Sequence, residues 1–312
     1  MGQKSVKGAM NKRSSIQNEE TYLRPLSVFE AYRFIQGRRF RVTPNAVLTL
    51  PSDSEEAIRF NGSIKLKKKL FGSNYSAPVT KLLTCGSAKV LEVGTGGGHW
   101  LSDMALEFPM SVFLGLDLST ICNPDYLPEN SAFLEHNYHD GIPFPDDTFD
   151  FIFQHAVSAK FRENLFNAHL SEMSRVLKPG GWIEVYGSPT HIVDAGPATE
   201  RFISSARKCL QINGLNPDIV RTIPEKLKRL NIKNVQVAEM PLSLSRRNKI
   251  SDDQIEENDQ NLLLRTVEAY RVIMKVAVGC TDEDYDKLKK EVSIEIETRN
   301  MYIMSVRTFG QK

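Results

Sequence analysis

The stretch best suited to chemistry is Glu92-x-Gly94-Thr95-Gly96-x-Gly98. An aliphatic run carrying an acid, Val90–Val93, meets a cluster of glycines, and a helical pattern starts at His99-Trp100. Strand, glycine turn and helix N-terminus together bring backbone N–H groups close to a nucleotide-like ligand. Glycine is needed because a Cβ would block that approach, and because such turns often require φ above zero. The dinucleotide fingerprint G-x-G-x-x-G would demand glycine where His99 stands, and no Gly-Lys-Ser/Thr follows to bind a triphosphate,. What remains is a nucleoside-like ligand whose charged group is small.

The elements that must position this turn follow from periodicity. Val90–Val93 forms a strand, and Trp100, Leu101, Met104, Ala105 and Phe108 then recur at helical spacing,. Val112–Asp117, Ala132–Leu134, Phe149–Phe153 and Trp182–Tyr186 are further strands, with a patterned helix over Phe166–Leu177 broken by Lys178-Pro179-Gly180-Gly181. This alternation implies an α/β doubly wound, parallel sheet. Later segments predict helices over Ala198–Ile212 and Pro217–Leu230, a strand over Val235–Met240, helices from Leu262 to Val278 and Asp282 to Glu297, and a last strand at Met301–Val306. A helical insertion, about 245–298, thus falls between the last two strands, inside a ligand-binding domain spanning 85–312. Upstream, 1–26 reads as a disordered tail and 27–84 as a helical extension. Ser27 and Glu30 form a capping box before a short helix ending at Gly37, and Arg38–Arg41 reads as an exposed basic strand. Ser52 with Glu55 caps a second helix that Gly72 stops, with Lys65, Lys67, Lys68 and Lys69 facing solvent at its end.

With the strands in place, the motifs resemble a known family. Glu92-x-Gly94-x-Gly96-x-Gly98 is similar to motif I of the class I S-adenosyl-L-methionine (SAM)-dependent methyltransferases. Asp117 in Gly115-Leu116-Asp117-Leu118 matches the acid that ends their second strand. Ile142-Pro143-Phe144-Pro145-Asp146-Asp147-Thr148-Phe149-Asp150 and Arg175-Val176-Leu177-Lys178-Pro179-Gly180-Gly181 match the signatures before strands four and five. The resemblance covers Leu82–Tyr186. Trp100 after motif I, Leu50-Pro51-x-Asp53-x-Glu55-Glu56 and Leu70-Phe71-Gly72 extend a likeness to fungal methyltransferases, a group that includes regulators of secondary metabolism.

The resemblance implies a seven-stranded Rossmann-like sheet and SAM as cofactor, with Glu92, Gly94, Thr95, Gly96, Gly98, Asp117, Leu118, Asn137, Tyr138 and Gln154 around it. Asp117 would accept hydrogen bonds from the ribose hydroxyls, and Asn137 with Tyr138 would lie by the adenine. Glu92 would orient the amino-acid part, whose carboxylate suits the N–H groups after Gly98. Two roles follow: an active methyltransferase on a small molecule or protein, or a SAM-binding regulatory protein that works through partners with little turnover.

Ligands in this architecture sit beyond the carboxyl ends of the strands, which brings His155 and His191 toward the transferred methyl. A neutral imidazole is a base near pH 7, so these two are the candidate catalytic residues. His136-x-x-His139-Asp140 lies on a strand-to-turn segment with no third ligand, so no metal is expected.

Composition narrows the rest. Forty basic against 38 acidic side chains leave a net charge of +2, which makes no electrostatic case for nucleic acid,. A hydrophobic content of 41% suffices for a sizeable core,. The four cysteines form no C-x-x-C pair and read as reduced thiols in a cytoplasmic or nuclear protein,. No apolar stretch approaches the roughly 20 residues of a membrane span. Met1-Gly2-Gln3-Lys4-Ser5-Val6 approaches an acylation signal but has Val6 where that signal needs Ser or Thr,.

Overall fold

The computed structural model describes residues 32–42, 50–118, 122–155, 161–245 and 262–312. The expected tail, 1–26, and the Ser27–Glu30 capping box lie outside them.

Seven strands form the central sheet: β3 (Lys89–Val93), β4 (Val112–Asp117), β5 (Ser131–Glu135), β6 (Phe149–Gln154), β7 (Leu177–Gly187), β8 (Lys233–Ser243) and β9 (Tyr302–Gln311), in the order β5-β4-β3-β6-β7-β9-β8. Neighbours from β5 to β7 run parallel, whereas β9 runs antiparallel to both β7 and β8. The sheet is therefore mixed rather than wholly parallel. Strand order reverses between β3 and β6, and ladder register sets Val93 beside both Leu116 and Gln154. The carboxyl ends of β3, β4 and β6 consequently open at one level, where a doubly wound sheet holds its ligand.

Adjacent side chains of β3 feed opposite cores, as expected for a strand covered on both faces. Leu91 and Val93 join Phe166, Leu170 and Met173 of α4 (Glu163–Val176) with Ile223 and Leu227 of α6 (Ile223–Arg229). Val90 joins Trp100, Leu101 and Met104 of α3 (His99–Glu107) with Phe60 and Ile64 of α1 (Ser54–Phe71) and Leu83 of α2 (Thr80–Thr84). A third core binds α5 (Pro197–Ile212) to the two helices between β8 and β9, α7 (Leu262–Val278) and α8 (Asp282–Thr298), through Phe202, Val267, Tyr270, Tyr285 and Val292. Thr281 and Asp284 close a capping box at the start of α8,.

The extension differs from its expectation. Tyr32–Ile35 is a strand, β1, paired antiparallel with β2 (Arg38–Arg41), not the end of a helix. Gln36 and Gly37 turn the chain with φ of 51° and 76°, the two-residue geometry that matches hairpin twist,. The aromatics fit either period over so short a run, and the turn decides between them. The basic strand is not left to solvent. Arg38 makes a fork to Asp53 at 2.6 and 2.8 Å, Arg41 reaches Glu135 at 2.7 Å, and the guanidinium groups of Arg39 and Arg41 lie 4.7 and 4.9 Å from the Tyr32 ring.

Asp53, not Ser52, caps α1: its carboxylate accepts from the Glu56 amide at 3.0 Å, and Arg38 holds its pKa below the ordinary value. At the other end Gly72 supplies the left-handed residue that stops the helix,. The lysine run is split. Lys65 is exposed and Lys68 pairs with Asp103 at 2.8 Å, but Lys67 is buried. Among the described residues no helix is long and apolar enough to cross a membrane.

Candidate functional site

Past β3 the chain doubles over the end of β4. The amide of Gly94 donates to Leu116 O at 2.8 Å, and that of Gly96 donates to Asp117 Oδ2 at 2.8 Å. The strand-end acid is thus oriented by the backbone of the turn. Gly94, Gly96 and Gly98 have φ of 80°, 56° and 81°, and Gly98 opens α3. Space is as restrictive as conformation. A Cβ on Gly96 would sit 2.7 Å from the Phe60 ring, one on Gly97 2.6 Å from the Asn61 amide, and one on Gly98 2.6 Å from Cys122 Sγ. Helix α1 therefore closes over the turn, and only glycines leave it room.

Beside the turn lies a cavity of about 200 Å³ bounded by Ala57, Asn61, Gly97, Ser102, Cys122, Asn123, Tyr126 and Leu127. Burial, with Glu92 and Asp117 nearby, pushes the Cys122 thiol up to about 11, so it stays protonated and is no nucleophile,. Asn61 Oδ1 and Gln154 Oε1 are buried acceptors with no hydrogen-bond partner among the described residues. A cofactor bearing an ammonium would supply the missing donors, and the uncapped first amides of α3 would face its carboxylate,. The residues present fit SAM on both counts.

The remaining expected positions fall into two groups. Glu92, fully buried at the end of β3, faces His155 with Oε1 and Nε2 3.6 Å apart, and Thr95 is buried with its hydroxyl donating to Glu92 O at 3.4 Å. Leu118 is half-buried just beyond Asp117. These stay around the turn. Asn137 is committed elsewhere: its Oδ1 accepts from the His139 amide at 3.2 Å and its Nδ2 donates to Asp140 at 2.8 Å. Tyr138 points into the core, its ring 5.5 Å from those of Phe161 and His169, and burial with Asp117 nearby suppresses its ionisation. It has no face left for an adenine.

The two candidate bases sit in different surroundings. His191 is exposed, while its neighbours Thr190 and Ile192 line a second cavity without it. His155 is buried inside a box of rings, with Phe153, Phe60, Tyr186 and Trp100 at 4.5, 5.8, 5.8 and 6.2 Å. Phe60 and His155 form a partition: one face of it meets the glycine turn and the other meets Tyr186. His136 bonds Gly141 O at 3.0 Å, and among the described residues no three His, Cys, Asp or Glu side chains are grouped to hold a metal ion.

The second cavity, also about 200 Å³, shares helix α1 with the first but none of its lining residues. Arg59, Ser63 and Lys67 of α1, Thr190 after β7, Phe202 of α5, Leu242 of β8 and Leu263 with Tyr270 of α7 line it. Arg59 is paired with Glu56 at 2.6 Å. The Lys67 ammonium sits 4.1 Å from the centre of the Tyr186 ring, whose hydroxyl donates to Ser305 at 3.1 Å. Burial first, then Arg59 and Arg307, holds Lys67 well below the usual lysine pKa,. Sequence reasoning missed this wall, although a signal existed. Phe60, Ile64, Lys67 and Phe71 share one helical stripe, so Lys67 falls where an apolar side chain belongs,.

A glycine turn and an acid at the strand-order reversal, with a separate apolar chamber alongside, define an α/β protein that brings a nucleoside cofactor to a second molecule. Comparison with known proteins supplies the particular chemistry. Residues 91–185 match the family described as "Methyltransferase domain". N-methyltransferase gliN of Aspergillus fumigatus is 25% identical over 258 residues, 79% of this chain and 89% of its own. Secondary metabolism regulator laeA of Coprinopsis cinerea is 25% identical over 161 residues, 51% of this chain and 40% of its own. Fatty-acid O-methyltransferase of Mycolicibacterium smegmatis is 31% identical over 147 residues, 46% of this chain and 52% of its own. Residues 91–185 are thus a methyltransferase domain, and the matches support a class I SAM-dependent methyltransferase with SAM as its cofactor.

Proposed function

We propose that this methyltransferase acts on a small molecule held in the second, apolar cavity. The observation that carries this reading is the pairing of two chambers: a polar one at the glycine turn and an apolar one walled by α1, α5 and α7. SAM when bound supplies an electrophilic methyl on a sulfonium, whose positive charge is lost in the transfer. The protein then has little acid–base work to do. Its contribution is alignment and exclusion of water, and the buried aromatic box of Phe60, Trp100, Phe153, His155 and Tyr186 suits that task,.

In this reading Asp117, held by the Gly96 amide, receives the ribose hydroxyls, and Gln154 with Asn61 accepts from the amino-acid end. Glu92 fixes the turn from below. A purely regulatory role is not favoured, because named methyltransferases surround laeA among the relatives and one spans most of this chain. The unpaired thiols suit a cytoplasmic or nuclear setting,.

A hydrogen bond to a charged group contributes about 1.5–3 kcal/mol. Asp117→Ala should therefore weaken S-adenosylhomocysteine binding by about ten- to a hundredfold in calorimetry. Unchanged affinity in a folded variant would end the assignment of Asp117. Release of S-adenosylhomocysteine when the protein meets SAM and a small-molecule extract, with mass identification of the methylated product, tests the reaction itself.

A further inference from the structure

Charges buried around the second cavity are matched with one exception. Arg59 has Glu56 at 2.6 Å, and Arg307 has Glu184, with Nε and Oε1 3.6 Å apart. Tyr270, which lines the cavity, and Tyr186, beside Lys67, are kept protonated by burial, each pushed up to about 12. The α5 and β8 walls offer only apolar side chains, among them Phe202, Ile203 and Leu242. Lys67, 9% exposed, lines the same cavity and makes no hydrogen bond or ion pair among the described residues. Among the described residues its ammonium rests against the Tyr186 ring.

A lone amine so placed is stable as the uncharged base or as an ammonium facing an anion that arrives with a ligand. The positive groups that already depress its protonation, Arg59 and Arg307, also attract that anion. We propose that Lys67 is the specificity-determining residue for the acceptor, which is a small amphiphile with a carboxylate head on Lys67 and an apolar body against Phe202, Leu242 and Leu263. This rests on the second cavity being the acceptor's chamber. Apolar walls give such a ligand its affinity, and one convergent charge gives it orientation. Aliphatic alcohols and amines of the same length lack the matching group.

Octanoate, octanol and octylamine are the probes, titrated calorimetrically into the full chain with S-adenosylhomocysteine present. Octanoate should bind at least about tenfold more tightly than octanol, the ratio expected of a charge-assisted contact. Octylamine should bind more weakly than either. Proton uptake should accompany octanoate alone, seen as a heat that varies with the buffer's ionisation enthalpy, because the carboxylate draws Lys67 into its charged form. Lys67→Met should abolish the preference while leaving octanol affinity within about twofold, and Lys67→Arg should retain it. Equal binding of octanoate and octanol, no octanoate binding at millimolar concentration, or an undiminished preference in Lys67→Met would each overturn the proposal. The wild-type comparison decides the matter even where Lys67→Met fails to fold. Titrating S-adenosylhomocysteine separately keeps the claims apart: its binding without an octanoate preference removes the anion site alone, whereas its failure to bind removes the methyl-transfer reading.

Discussion

The two chambers share helix α1 but are built on different principles. On the glycine side the protein builds its cavity largely with backbone: three glycines at positive φ, the Gly96 amide on Asp117, and the start of α3. On the other side it uses side chains, drawn from α1, α5, α7, β8 and the segment after β7. Backbone recognition constrains residue types at fixed spacing, because only glycine fits. Side-chain recognition assembled from distant segments constrains shape and leaves spacing open. One chamber can therefore stay fixed while the other is remodelled, which suits a scaffold that delivers one cofactor to many acceptors.

Separability is the first thing to break, and Gly96→Val should break it hardest. A β-branched residue at a φ of 56° is strained, and its Cβ must displace the Phe60 ring from 2.7 Å,. We expect S-adenosylhomocysteine affinity to fall by at least about a hundredfold, since about 3 kcal/mol of strain and lost fit corresponds to that ratio. Octanol binding should change by less than about threefold. An equal loss at both chambers in a folded variant would show that they are one site.

The same contrast explains what was legible in the sequence. Val112–Asp117 has the same bounds in the structure, and β3, β6, α4, α5, α7 and α8 lie within a few residues of expectation, because each carries a clean period of its own. The turn was legible through its glycines, and Asp117 through its place at a strand end. Tyr138 was misjudged because a motif position fixes the backbone and not the direction of the ring, which here joins Phe161 and His169. His191 was misjudged for a related reason: neighbours in an irregular segment alternate between cavity and solvent, and Thr190 and Ile192 took the cavity. Lys67 was hidden in a run of lysines that elsewhere behaves as a solvated face. Only its place on the Phe60–Ile64–Phe71 stripe sets it apart, and that stripe becomes informative once Tyr186 and Tyr270 are known to face it.

Phe60 lies between the glycine turn and His155, so its removal sharpens the comparison. The ring is 8% exposed and touches the space above Gly96 on one side and His155 on the other. Phe60→Ala should lower the unfolding free energy by about 3 kcal/mol, the low end for a buried Phe, as measured by urea denaturation. It should also weaken both S-adenosylhomocysteine and octanoate, whereas Gly96→Val, which shifts the ring without removing it, should fall mainly on the first and Lys67→Met on the second. Selective loss of one ligand would place Phe60 in a single chamber.

The smallest effect concerns how the acceptor side is anchored. Glu184, fully buried on β7, accepts from the amides of Ser76 and Ala77 at 2.7 and 2.8 Å, while Arg307 donates to Ser73 O at 2.9 Å, so this pair fastens the chain after α1 to the sheet. Burial raises the Glu184 carboxyl to about 7 against the opposing pull of Arg307 and the two amides. Between its ordinary value, near 4.5, and about 7 the unfolded chain has lost this proton and the folded chain still holds it. Unfolding then releases a proton, so stability from this group falls as pH rises through that window, by at most about 1.4 kcal/mol per unit. Glu184→Gln keeps an oxygen for both amides and cannot titrate. Relative to wild type, its thermal stability should therefore improve steadily from pH 4.5 to 7 and level off above, on top of a constant offset from leaving Arg307 without its carboxylate. S-adenosylhomocysteine affinity should stay unchanged across that range, because Glu184 lines neither cavity. A difference between the two proteins that is flat with pH would mean that Glu184 is ionised throughout, with Arg307 outweighing burial.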